Sequence, residues 1–185
     1  MSSPNAFPGF PAEPQLPHQA PFRLVDRIVS AEVTRGYLVA ERRLTLNDAL
    51  WPAESQSSSH FFTAAPPAPG PLVFPPTLLI EALCQAAACL NSLTLTPPTA
   101  SPAPAPQHHG LLVAIRDFKF PAFAYVGETL ALEVQQKERL GSVIAFAVRA
   151  TAMPAGTPPS PPVAQDPEQP REVASGRLLF AVTLA

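Results

Sequence analysis

The sequence predicts an α+β fold in which a mostly antiparallel sheet of five or six strands wraps one long buried helix. Three observations carry this. Residues 78–90 form an apolar run of helical length broken only by Glu81 and Gln85. Four later segments, LLVAIRDFKF, ETLALEVQQKER, SVIAFAVRATA and EVASGRLLFAVTL, are rich in β-branched and aromatic residues over strand lengths. Most of the 26 prolines gather at 4–21, 66–76, 97–106 and 154–170. Proline fixes φ and lacks a backbone donor, so the core has to be built from the nearly proline-free stretches between these clusters.

Taken in order, residues 1–15 read as a flexible proline-rich leader, and residues 16–185 as a single domain. FRLVDRIVSAEVT (22–34) mixes a short helical turn with a strand. Gly36 separates it from YLVAERRLTLN (37–47), which alternates as a half-buried strand, so the two predict a hairpin. Residues 52–71 have the Ser, Ala and Pro content of a surface insertion, as do 97–107 and 154–170. Pro75-Pro76-Thr77 opens the helix, because proline in a first turn lacks only an N–H that would have had no partner there. The helix is expected to end near Ser92. Glu81 and Gln85, spaced i and i+4, share one face of it. Gly127 and Gly141 punctuate the strands that follow.

The chain is 46% hydrophobic and only 14% charged, with 12 basic against 14 acidic side chains and no Lys/Arg cluster. That balance excludes wholesale disorder and argues against a nucleic-acid partner held through phosphates. Cys84 and Cys89 would point roughly 140° apart on a helix, so they cannot pair with each other. Reduced thiols, the lack of a basic region followed by an apolar block near the start, and an apolar run too short to span a bilayer together predict a soluble cytoplasmic protein without a membrane partner.

Several segments, in order, resemble the FabZ-type dehydratases of bacterial fatty acid synthesis, which have the hot-dog fold. They are LPHQAPFRLVDRIV (16–29), LTLND (44–48), PLVFPPTLLIEALCQAA (71–87), LLVAIRDFKFPAFAYVGETLALEV (111–134) and VASGRLLFAV (173–182). The resemblance implies removal of water from (3R)-hydroxyacyl thioesters of acyl-carrier protein, a homodimer with sites across the subunit interface, and no metal or organic cofactor. The carrier, acyl-carrier protein or coenzyme A, is left open. In that family a histidine removes the C2 proton, a helix carboxylate handles the departing 3-hydroxyl, and an N–H at the helix start holds the thioester oxygen. The chemistry explains the set: an α-proton is weakly acidic, so a base must act while a donor polarises the carbonyl.

Carried across, Glu81 falls on the helix carboxylate and Gln85 matches one turn later. The alternative for Glu81 is a first-turn carboxylate favoured by the helix dipole. Burial in an apolar helix together with the resemblance favours the catalytic reading, since an unpaired buried carboxylate is costly. The family's histidine stands fourteen residues before this carboxylate, a place that Pro67 occupies here. His60-Phe61, seven residues further upstream, supplies the matching pair, and His60 is assigned as the C2 base. An exposed loop histidine after a serine run is the competing reading.

The family opens its helix with Pro-Gly, whereas this chain has Pro75-Pro76. Pro76 has no N–H, and Thr77 is the neighbour able to supply one, or a hydroxyl. Gln85, Pro76 and Thr77 are therefore the candidate substrate-binding positions. Other residues read as structural: His18 as packing or capping, Asp26 as a local salt bridge or turn, Cys84 as a buried small hydrophobe, and His108-His109 as solvated in a loop. Two rival functions remain open, a non-catalytic acyl-binding or partner subunit and a hot-dog thioesterase.

Overall fold

A computed structural model describes residues 16–45, 72–95, 108–154 and 170–184. The leader, the insertions at 52–71 and 97–107, nearly all of 154–170, and His60 lie outside the described residues. Strands β1 (Arg27–Glu32) and β2 (Tyr37–Arg43) flank a short 3-10 turn, and helix α1 (Pro76–Leu95) follows. Strands β3 (His108–Lys119), β4 (Thr129–Leu140), β5 (Val143–Met153) and β6 (Arg171–Leu184) complete a six-stranded sheet in the order β1-β2-β4-β5-β6-β3. Every pairing is antiparallel.

The expected hairpin forms, and Gly36 is the reason it turns. Its φ of 60° is left-handed, and a Cβ there would lie 2.9 Å from Cβ of Gln136. The β4–β5 hairpin is tighter. Gly141-Ser142 bridges Leu140 and Val143, with Gly141 at φ 60°, the geometry that matches the twist of the flanking strands.

One sheet face is apolar and holds the helix. The cross-strand row Ala40, Leu132, Ala150 and Ala174 shows how: three alanines and one leucine, all fully buried, leave a trough for α1. Leu79, Leu83, Ala86, Ala87 and Leu90 fill it. Burying each such leucine stabilises the fold by roughly 1.5–3 kcal/mol. Bulges in β1, β3, β4 and β6 add local twist, which bends the sheet around the helix.

Three sequence expectations shift. The helix runs past Ser92 to Leu95, with Thr94 Oγ1 donating to the Asn91 carbonyl at 2.7 Å. It is thus long and apolar enough to cross a membrane by length and composition, contrary to the expectation, although its packing against the sheet accounts for that apolarity. His108 and His109 belong to β3, opposite Leu184 and Thr183, rather than to a loop.

The segments on either side of residues 46–71 return to one short loop. Leu44 N–H donates to Glu128 O at 2.9 Å, and Gly127 N–H to Leu44 O at 2.8 Å. On the far side, Val126 N–H donates to Leu72 O at 3.0 Å and Phe74 N–H to Ala124 O at 2.8 Å. Glu128 braces this loop: it accepts from Tyr125 N–H at 2.7 Å and pairs with Arg171, which also lies 5.4 Å from the Tyr125 ring centre. The start of α1 is therefore placed by main-chain bonds.

Candidate functional site

The helix opens as its sequence dictates. The Pro75 carbonyl accepts from Leu78 N–H at 3.0 Å and Leu79 N–H at 3.2 Å, and neither proline has a donor to offer. Among the described residues, no acceptor meets the N–H of Thr77, so the positive end of the helix dipole presents a single uncommitted donor, on an exposed residue.

Glu81 stands one turn further along that face. Its Oε1 accepts from Gln85 Nε2 at 2.9 Å and lies 3.7 Å from Nε2 of His18. Gln85 is 1% exposed and clasps the chain before β1: its Oε1 accepts Leu24 N–H at 2.7 Å and its Nε2 donates to Phe22 O at 2.7 Å. A planar amide with two donor hydrogens and an acceptor oxygen fits all three contacts. This clasp holds the segment leading from His18 against the helix.

The burial expected of Glu81 is not found. Its side chain is 42% exposed, whereas Gln85, one turn on along the same face, is buried beneath the 22–24 segment it clasps. His18, expected to be purely structural, is the described histidine at the carboxylate. Its ring is part-exposed, yet its Nδ1 is buried and has no partner among the described residues. The only hint in the sequence was Pro17-His18 within the segment of family resemblance. The place of His60 relative to Glu81 lies outside the described residues.

The remaining candidates resolve simply. Asp26 is a salt-bridge residue: it pairs with Arg42 at 2.7 Å and accepts Arg43 N–H at 2.7 Å. Cys84 is pushed up to about 12, by burial first and by the Glu81 charge second, so it stays a thiol near neutrality and is no nucleophile. Among the described residues, no three His, Cys, Asp or Glu side chains converge as metal ligands.

No family model matches the chain. Curated relatives do. The 3-hydroxyacyl-acyl-carrier-protein dehydratase FabZ of Anaeromyxobacter dehalogenans (strain 2CP-1) is 34% identical over 128 residues, covering 69% of this chain and 70% of the relative. The FabZ of Legionella pneumophila is 34% identical over 123 residues, 65% of this chain and 67% of its own. Among solved structures, the dehydratase heterocomplex ApeI:P from Xenorhabdus doucetiae superposes with a TM-score of 0.59 at 13% identity, covering 93% of this chain and 90% of that one. A hypothetical thioesterase with coenzyme A from Streptococcus pneumoniae TIGR4 gives 0.51 at 9% identity, covering 85% of each. The structural likenesses show the hot-dog fold, and the sequence relatives show that this chain belongs to the FabZ family of 3-hydroxyacyl-acyl-carrier-protein dehydratases.

Proposed function

We propose that the chain is a cytoplasmic 3-hydroxyacyl-thioester dehydratase of fatty acid or related lipid or polyketide biosynthesis, taking its substrate from acyl-carrier protein or coenzyme A. The observation that carries this is Glu81, whose Oε1 is engaged by Gln85 one turn from the Thr77 amide at the helix start. In the reaction a base takes the C2 proton, the C2 electron pair forms the C2=C3 bond, and the 3-hydroxyl leaves as water with a proton from the Glu81 carboxyl. Thr77 N–H is assigned to the thioester oxygen, where negative charge develops. His60 is proposed as the C2 base.

The site is proposed to be completed in a homodimer formed through β3. This edge strand carries exposed Leu111, Val113 and Ile115, which is not how a solvent-facing edge is protected. A sedimentation coefficient of a monomer at all concentrations would overturn the dimer.

The enzymatic reading is tested by hydration of an enoyl thioester, followed by loss of the conjugated chromophore. Turnover is expected, and Glu81→Gln should abolish it, because an amide cannot exchange the proton. A second reading, a non-catalytic partner subunit, is favoured by Pro76, which removes one donor from the helix start. Binding of acylated carrier by an inert wild type would select it. Release of free acid would select a thioesterase instead.

A further inference from the structure

We propose that His18 is a positioning residue for Glu81: with Gln85 it engages Oε1 as an acceptor, so that the transferable proton resides on Oε2. The inference rests on the dehydratase reading for its kinetic consequence, though not for its geometry.

Both described side-chain neighbours of the carboxylate address the same oxygen. Gln85 Nε2 donates to Oε1 at 2.9 Å, and His18 Nε2 stands 3.7 Å from it. Among the described residues, no side chain takes Oε2. A carboxyl group whose one oxygen accepts an N–H and faces a second donor carries its own proton on the other.

The tautomer of His18 follows from the opposite side of its ring. Nδ1 is buried without a partner. A proton there would be a buried donor with no acceptor. Hydrogen on Nε2 leaves Nδ1 with a buried lone pair instead, a lesser defect than a buried N–H, and turns that hydrogen toward Oε1. At 3.7 Å the contact is electrostatic, longer than a hydrogen bond, and such contacts tighten when substrate closes an active site. The clasp between Gln85 and the 22–24 segment keeps His18 in place, so the two donors depend on one buried amide.

The kinetic test compares His18→Ala and His18→Gln with wild type, using enoyl-thioester hydration and thermal melting. His18→Ala is expected to lower kcat about tenfold, the scale of one hydrogen bond to a charged or reacting group, with KM nearly unchanged. His18→Gln, which restores an amide donor, should recover most of the loss, and both variants should melt close to wild type. An Ala variant with wild-type kcat overturns the proposal, as does a loss that Gln does not recover in a normally melting protein.

A second measurement is independent of turnover. Long-range nitrogen–proton NMR of histidine-labelled protein should show His18 protonated on Nε2, with its signals shifted by Glu81→Gln. Hydrogen on Nδ1, or insensitivity to Glu81→Gln, overturns the proposal. If wild type shows no turnover, the dehydratase reading falls while the tautomer still decides this one.

Discussion

Replacing Gln85 by leucine removes the amide that joins the helix to the chain before β1 while keeping similar volume. In the native protein, Gln85 satisfies Leu24 N–H and Phe22 C=O and touches Glu81. Leu24 is fully buried, so its amide cannot turn to water, and leaving it unmet costs about 1–3 kcal/mol. The Phe22 carbonyl is part-buried, and its lost bond adds about 0.5–1.5 kcal/mol. The extra apolar burial of leucine offsets about 1 kcal/mol. The net loss is about 1–3 kcal/mol, a fall in melting temperature of roughly 3–10 °C for a chain of this length. The companion assay is amide hydrogen exchange: Leu24 should be strongly protected in wild type and much less so in the variant, while the β4–β5 amides are unchanged. A Gln85→Leu protein with wild-type melting and a protected Leu24 would refute the clasp.

Three further outcomes are expected. Pro76→Gly restores an N–H at the helix start, and enoyl-thioester hydration should rise roughly tenfold or more; an unchanged rate in an active protein would show that Thr77 already suffices. Cys84 and Cys89 are both pushed from 9.0 up to about 12, chiefly by burial. Their contribution to stability is thus whole below about pH 9 and is lost as pH rises towards 12, because the unfolded thiols release protons first. Melting temperature should fall over that window, and less steeply for a Cys84→Ala, Cys89→Ala double variant. Gly176→Ala would drive a Cβ into the Phe118 ring, 2.7 Å from its Cε2, which is expected to cost about 1–3 kcal/mol; truncating Phe118 to alanine as well should relieve it, measured as non-additive melting shifts.

The architecture was legible because its signals are local. Alternation in Val143–Met153 places Ile144, Phe146, Val148 and Ala150 on the inner face, where they are buried. The apolar run around Glu81 likewise announced the helix. What the run did not announce was how far along that face another segment would cover the helix. Hydropathy gives Glu81 and Gln85 the same apolar neighbours, yet the 22–24 segment buries Gln85 and Glu81 stays part-exposed. The clasp was hidden for another reason: its bonds join residues 61 and 63 positions apart, through a proline-rich stretch without periodicity. The role expected of Asp26 needed no such reach, since Arg42 and Arg43 meet it across neighbouring strands. Strand β2 ends at Arg43 rather than continuing through Asn47, because Leu44 is recruited by Gly127 and Glu128 in another part of the chain.

The pinning of Leu44, Leu72 and Phe74 to the single loop 124–128 anchors both ends of the intervening segment at one place on the frame. Its exit and re-entry points are set by main-chain bonds that any residue except proline can make at 44 and 74. Lengthening such a connection costs about 0.6 kcal/mol of closure free energy for each doubling, and it also bears on where His60, the proposed C2 base, is delivered. Evolution can rewrite this stretch without disturbing the helix that carries the carboxylate. For the engineer, the same posts define where a relative's segment can be spliced in, so that new substrate preferences are explored on an unaltered frame.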